Sequence, residues 1–221
     1  MASTRSAGST GRRVAALLPF LITAFAPMGA AHAQDALRST FPGRRVGGGT
    51  RGDCPARVVA HLVAENNMLG AAAPTTLGIL LGPANTPRPL QLAFRPRQKG
   101  TPAPSAAGPQ DRTLAPAPAG LMLLSIPAVG QDTVWESSYQ CDESPAGGDT
   151  APLAFVSNVA PPAQSLLVSA RLPDDRKVEQ ELQKLRASCG ATVATTDVAA
   201  AFGMSDVITR EWPSRLPVRC L

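Results

Sequence analysis

The sequence predicts a mainly β domain: an immunoglobulin-like β-sandwich that carries a C-terminal amphipathic helix, α+β overall. Short apolar runs rich in Val, Leu and Ile recur between turn-forming residues, as in the strands of a sandwich. The period of the apolar residues becomes helical only after residue 173. About 188 of the 221 residues follow a predicted signal peptide, which is enough for one domain with a core but not comfortably for two.

Residues 1–33 are predicted to be a secretory signal peptide. Three arginines and no acidic residue precede an apolar run that starts at Val14, and Ala31-His32-Ala33 has the small-residue form of a cleavage site. The run is only about fifteen residues long, and a membrane-spanning helix needs roughly twenty. We therefore expect cleavage after Ala33, export to the periplasm or the extracellular space, and no stable membrane insertion afterwards. The export route, Sec or twin-arginine, stays open.

The charge of the mature chain does not imply a nucleic-acid partner. The whole chain has 21 basic and 16 acidic residues, and the signal peptide takes three arginines away, which leaves a net charge of +2. Residues 34–112 hold ten basic and four acidic side chains, whereas residues 113–221 hold eight and twelve. This asymmetry predicts that the two halves pack together, or that the basic half faces an anionic envelope polymer.

All four cysteines follow the signal peptide, at Cys54, Cys141, Cys189 and Cys220. An even number of cysteines in an exported chain predicts two disulfides, because the compartment is oxidising. Three pairings are possible. We favour Cys54 with Cys141 and Cys189 with Cys220, because the second link closes a loop of about thirty residues around the C-terminal tail.

The mature chain divides into a lead-in and a β-rich domain. Residues 34–52 are rich in Gly and Arg, have no apolar period and are predicted to be irregular, and residues 53–190 form the domain. The run VVAHLVA at 58–64 is apolar on both faces, as in a buried strand. Strands are predicted at residues 58–64, 75–81, 90–95, 121–126, 134–141, 153–159 and 166–170.

A proline-rich insertion interrupts the domain at residues 96–118. It contains six prolines among Ala, Gly and Ser residues. Proline restricts φ and removes a backbone donor, so we do not expect this stretch to pair in the centre of a sheet or to continue a helix.

The pattern changes near the C-terminus. Apolar residues recur at intervals of four, three and four from Val178 to Cys189, which predicts an amphipathic helix at residues 174–188. Gly190 is placed to end this helix. Residues 191–221 are predicted to form a short helical C-terminal tail.

The glycine-rich segment at residues 41–54 is the candidate binding region. Its glycines match a GxGxxG spacing, but no strand is predicted before it and no helix after it, so dinucleotide binding is not expected. Arg44, Arg45 and Arg51 lie beside glycine amides and are the candidate ligand-binding residues, for an anion. The alternative is that the glycines supply tight turns and the arginines solvate a loop.

The same segment carries a family resemblance. GRRVGGGTRGDC at residues 43–54, followed by VVAHLVAE, resembles the opening of a secreted bacterial family, abundant in cyanobacteria, that is catalogued as domain of unknown function 928. In that family a second cysteine closes an aromatic strand, and Tyr139 with Cys141 matches this place. The chain departs from the family in its proline-rich insertion and in its few aromatic residues near Thr75–Leu81. The resemblance implies export, a β-rich fold and a link between Cys54 and Cys141, but no reaction.

No catalytic residue, metal site or cofactor is predicted. His61 is the one histidine after the signal peptide, and its place between Val59 and Val63 on a strand predicts a hydrogen-bonded histidine in the core or at an edge. An acidic loop at residues 141–149 lacks the ligand spacing of a calcium loop and is interpreted as a solvated turn.

These observations favour a non-catalytic envelope or interaction module that binds a protein or an anionic surface polymer. We expect the lead-in arginines and the sheet edges to make this contact. A periplasmic hydrolase of unrecognised type, which would need His61 or the loop acids, is the alternative, and a purely structural envelope component is a third possibility.

Overall fold

The computed structural model describes residues 42–49, 56–97, 111–139 and 161–221. Several predictions from the sequence lie outside these residues: the signal peptide, Arg51, Cys54, Cys141, the acidic loop and the strand at 153–159. The described part is mainly β, with 41% strand, 14% helix and two sheets.

The described residues form nine consecutive strands, and two helices then alternate with two further strands. Along the chain, the strands are β1 (Val46–Gly49), β2 (Ala56–His61), β3 (Met68–Gly70), β4 (Thr75–Leu81), β5 (Leu90–Pro96), β6 (Arg112–Leu114), β7 (Gly120–Ile126), β8 (Thr133–Tyr139), β9 (Ala163–Val168), β10 (Thr192–Ala194) and β11 (Arg215–Cys220). Helix α1 (Asp175–Ala187) precedes β10, and helix α2 (Thr195–Ala201) follows it. Six of the predicted strands correspond to β2, β4, β5, β7, β8 and β9, and the predicted helix corresponds to α1.

The strands form a first sheet in the order β1-β2-β4-β7-β11-β10 and a second in the order β3-β9-β8-β5-β6. Neighbours are antiparallel except for β7 with β11 and β3 with β9, which are parallel. Short strands of three or four residues stand at every edge of the two sheets.

The centre of the first sheet is covered on both faces. In β4, all residues from Leu77 to Leu81 are buried, as are Gly120 to Leu124 in β7. One face meets the second sheet, and the other meets α1, where a Cβ on Gly78 would lie 2.7 Å from Leu182 Cδ2. Continuous apolar runs suit such strands because neither face reaches water.

The second sheet is apolar on its inner face at β5, whereas at β3 and β9 its other face carries a smaller apolar cluster of Met68, Leu166 and Val168. Leu90, Leu92 and Phe94 are buried on β5, while Gln91 between them is exposed. This alternation is the one expected when one face of a sheet packs against a core.

The lead-in differs from its prediction, because Val46–Gly49 forms a strand where we expected an irregular segment. β1 pairs with β2. The strand and the residues before it also form hydrogen bonds with the start of β9: Gly48 N–H donates to the Pro161 carbonyl at 2.8 Å, and Gln164 N–H donates to the Arg44 carbonyl at 2.7 Å. A Cβ on Gly47 would lie 2.2 Å from the backbone nitrogen of Ala163. The glycine is therefore needed for a close approach of two backbones.

The C-terminal tail also differs from its prediction. It contains α2, but residues Arg215–Cys220 form β11, which lies beside β7 within the first sheet. Leu216 and Val218 point into the core and are 0% and 1% exposed. Two buried residues around Pro217 make too short a pattern to predict a strand, and pairing with β7 and β10 defines it.

The predicted disulfide between Cys189 and Cys220 is confirmed, with its Cα atoms 5.8 Å apart. It links Cys189, which follows the C-cap residue Ser188 of α1, to the last residue of β11. In the part of the chain that the structure describes, no helix has the length and apolar character required to cross a membrane.

Candidate functional site

The candidate arginines have different surroundings. Arg44 is exposed, whereas the half-buried Arg45 donates from its guanidinium to three carbonyls, those of Val63 at 3.1 Å, Phe202 at 2.8 Å and Gly203 at 2.8 Å. Burial lowers the pKa of Arg45, and the charges of the nearby Glu65 and Asp206 oppose this shift. The Arg45 side chain therefore fastens the start of β1 to the end of α2.

His61 lies between the two sheets. Its Nδ1 is 2.8 Å from Ser165 Oγ on β9, and its Nε2 is 2.8 Å from Ser137 Oγ on β8. The imidazole stacks on Trp135, with ring centroids 3.5 Å apart and planes 7° from parallel. His61, both serines and Trp135 are all 0% exposed. The prediction of a hydrogen-bonded core histidine is confirmed.

This arrangement suits a neutral imidazole. One ring nitrogen donates and the other accepts, and each serine hydroxyl can take the complementary role. Burial lowers the pKa of His61 well below its usual value, because a charged ring would lose its hydration. Ser137 and His61 have the separation of a nucleophile and its general base, yet neither side chain reaches solvent.

A buried arginine forms a second polar contact between the sheets, and the sequence analysis missed it. Arg57 on β2 is only 7% exposed, and its Nε donates to Tyr139 Oη on β8 at 2.8 Å. Its guanidinium lies 5.1 Å from the centroid of the same ring, and a second nitrogen donates to the Gly82 carbonyl at 3.3 Å. Burial raises the pKa of Tyr139 to about 12, although the charge and the hydrogen bond of Arg57 oppose the shift. Arg57 directly precedes the apolar run at 58–64, and this position in the sequence does not distinguish a buried arginine from an exposed one.

A groove of about 500 Å³ opens where the segment after β2 meets the first turn of α1 and the last turn of α2. This volume falls within the range of about 300 to 1,000 Å³ that is usual for small-molecule sites. The groove is lined by Val63, Ala64, Glu65, Asn66, Asp174, Lys177, Val178, Ala200, Ala201, Phe202 and Gly203. No residue of this groove was a site candidate in the sequence, because its walls come from three distant segments.

The floor and the rim of the groove differ in polarity. Val63, Val178 and Phe202 on the floor are buried, whereas Glu65, Asp174 and Lys177 on the rim are exposed. The groove thus combines an apolar surface with charges of both signs.

Two neighbouring aspartates at the start of α1 have different roles. Asp175 is buried, and its carboxylate accepts hydrogen bonds from the backbone N–H groups of Gly70 and Leu172. Asp174 occupies the N-cap but makes no capping hydrogen bond with its side chain. Its carboxylate is therefore available at the rim of the groove.

Within the residues that the structure describes, no group of three or more His, Cys, Asp or Glu side chains is arranged to hold a metal ion. No family model, curated protein or solved structure matches this chain.

Proposed function

We propose that this chain is an exported, non-catalytic envelope or interaction module that binds a protein or an anionic surface polymer. The position of His61 carries this proposal. His61 is the one histidine that the structure describes, and it lies in the core with both ring nitrogens engaged, while exposed charged groups surround an open groove.

Two observations support the location. The Cys189–Cys220 disulfide is typical of oxidising compartments outside the cytoplasm, and the first 33 residues have the pattern of a signal peptide. Membership of the family catalogued as domain of unknown function 928 is part of the same proposal, and it rests on the Gly/Arg-rich segment and the strand after it.

We also propose that the two sheets form an immunoglobulin-like β-sandwich with α1 as its C-terminal helix. The hydrogen bonds from His61 to Ser137 and Ser165 support face-to-face packing, because they join strands of different sheets. The parallel pairs of β3 with β9 and of β7 with β11 are departures from the antiparallel pattern of that fold.

The polymer-binding version of the proposal rests on Arg44 and Arg51. Arg45 is a poor probe of binding, because its replacement would remove three hydrogen bonds that join distant segments. The test is therefore a double charge reversal, Arg44→Glu with Arg51→Glu. Its matched control reverses two exposed arginines elsewhere, Arg176→Glu with Arg210→Glu.

Retention of each purified protein on envelope fractions is measured at low and at high salt. Each arginine near an anionic surface contributes about 1 kcal/mol, so the test variant should bind at least about tenfold more weakly at low salt. The control variant should bind as the unmodified protein does. Equal retention of the test variant would refute the polymer-binding version.

The separation of Ser137 and His61 favours the alternative function, a periplasmic hydrolase, more than any other feature. A fluorophosphonate probe labels serines that such a base activates. We expect no labelling of the folded protein, because Ser137 is 0% exposed. Stoichiometric labelling that disappears in Ser137→Ala would establish the hydrolase and reject the non-catalytic module.

A further inference from the structure

The groove beside α1 has a feature that the proposed function does not use. Its three charged rim residues, Glu65, Asp174 and Lys177, make no ion pair and no side-chain hydrogen bond within the described residues. Elsewhere on the same helix, Lys184 is paired with Glu181 at 2.7 Å. Exposed charges of both signs therefore surround an apolar floor.

The charges are placed on two sides of the groove. Asp174 and Lys177 are three positions apart and share one side of the first turn of α1. Glu65 is on the side of α2, because its Oε1 lies 2.7 Å from the position of a Cβ on Gly203. Arg45 is close to Glu65 and its charge attracts that carboxylate, while its guanidinium donates to the carbonyls of Phe202 and Gly203.

A ligand with a single charge does not match this rim. Lys177 would repel a cation with an apolar body, and both Glu65 and Asp174 would repel an anion. A ligand that carries one positive and one negative group can place each beside an opposite charge. The buried side chains of Val63, Val178 and Phe202 would then receive an apolar substituent.

We propose that this groove binds a small zwitterionic ligand with an apolar side chain, of the class of free amino acids and short peptides. The ammonium group lies near Glu65 on one side of the groove, the carboxylate near Lys177 on the other side, and the side chain on the apolar floor. This site is additional to the proposed contact with a protein or polymer and does not depend on it.

Isothermal titration calorimetry of the folded, oxidised protein tests the ligand class. The probe is L-leucyl-L-leucine, and two analogues each lack one charge: its N-acetylated form and its C-terminal amide. Diglycine keeps both charges but has no apolar side chain. We expect each of these three compounds to bind at least about tenfold more weakly than the probe, the loss that follows from one missing charge contact or a missing apolar side chain.

Variants of the groove test its location. Glu65→Gln and Lys177→Met should each weaken binding of L-leucyl-L-leucine by about tenfold or more. Glu211→Gln and Lys184→Met remove the same charges from exposed positions outside the groove, and both should leave the affinity unchanged. Urea unfolding of all four variants verifies that they are folded.

Several results would overturn the proposal. They are the absence of binding by L-leucyl-L-leucine at millimolar concentration, equal binding of the blocked analogues, and unchanged affinity in both groove variants. Equal binding of a peptide blocked at both ends would instead indicate an internal segment of a protein partner. None of these results bears on the envelope retention of the Arg44 and Arg51 variants, so the two proposals fail independently.

Discussion

At the scale of single residues, His61 is a polar side chain that the core holds in its neutral form. The ring is held by Ser137 and Ser165 and covered by Trp135, and among the described residues no acidic group bonds to it. The unfolded chain would titrate this histidine at a pKa of about 6.5. In the folded chain, burial keeps the pKa well below that value.

Folding should therefore become less favourable as the solution is acidified. Between the two pKa values the unfolded state binds one more proton, so the free energy of unfolding is highest above pH 6.5 and falls by about 1.4 kcal/mol per pH unit below it. Urea unfolding at pH 7.5, 6.5 and 5.5 measures this slope. Because His61 is the one histidine of the chain cleaved after Ala33, its NMR ring signals should not shift between pH 8 and pH 6. A shift centred near pH 6.5 would contradict the buried neutral ring.

Gly47 is the second residue whose role depends on its neighbours. A Cβ there would lie 2.2 Å from the Ala163 nitrogen and 2.5 Å from the Pro162 carbonyl carbon, and both are backbone atoms that cannot rotate away. By contrast, a Cβ on Gly130 would have no atom within 4 Å.

Gly47→Ala should lower the free energy of unfolding by about 3 kcal/mol or more, because one of the two backbones has to move. The matched change Gly130→Ala should stay within about 0.5 kcal/mol of the unmodified protein. Chemical unfolding of both variants measures the difference. Equal stabilities would mean that β1 does not approach β9 as closely as described.

At the scale of elements, the C-terminal residues after α1 belong to the sheet. Strand β11 lies between β7 and β10, and the disulfide joins its end to the residue beyond α1. Arg186 in the last turn of α1 also donates to the hydroxyls of Thr76 on β4 and Ser125 on β7. Helix and sheet are thus joined at one end by a covalent link and by hydrogen bonds.

Removing this covalent link should destabilise the fold without abolishing it. For a sequence separation of 31 residues, the chain-entropy model predicts a loss of roughly 3 to 4 kcal/mol in Cys189→Ser with Cys220→Ser. The loss is read from urea unfolding of the double variant, and comparison with Ser188→Ala controls for substitution at the end of the helix. A change below about 1 kcal/mol would show that the link constrains the unfolded chain very little.

At the scale of the whole molecule, the basic and acidic halves of the chain are interleaved. β1, β2 and β4 come from the first half, β7, β10 and β11 from the second, and all six share one sheet. The ion pairs Arg95–Asp111 and Lys184–Glu181 each stay within one half. Among the described residues, the contacts that join the halves include the shared apolar core and hydrogen bonds such as the one between Arg57 and Tyr139. Opposite charges also interact across the halves, Arg45 with Asp206 and Arg95 with Glu136.

The second predicted disulfide, Cys54 with Cys141, lies outside the described residues and stays a prediction. Cys54 is three residues before Arg57, and Cys141 is two residues after Tyr139. Peptide mapping of the exported protein without reduction should find Cys54 linked to Cys141 and a new N-terminus at Gln34. Retention of Met1 would contradict the export. Free thiols at these two positions would contradict the pairing.

Local patterns made several predictions possible. Consecutive residues carry the two-residue period of β5, the apolar runs of β4 and β7 and the helical period of α1. The sequence therefore indicated these elements within a few positions. β1, β3, β6 and β10 were missed because they have only three or four residues, too few to show a period. β11 was missed because Pro217 interrupts its pattern and its partner β7 is far away in the chain.

The candidate site divides in the same way. The sequence indicated that His61 belongs to a buried strand, and it placed Arg44 and Arg45 together beside the glycines. It did not show that Arg45 binds the end of α2, or that Glu65 and Lys177 border one groove. These contacts bring together residues more than a hundred positions apart.

By itself, the sequence determined which segments alternate, which are apolar throughout and where the chain turns helical, because these properties follow from neighbouring residues. Only the tertiary structure decided that Gly47 must lack a side chain, that His61 has two serine partners, and that a groove opens beside α1. The physical reason is that backbone clearance, hydrogen-bond partners and cavity walls depend on where distant segments meet, and such meetings leave no periodic pattern along the chain.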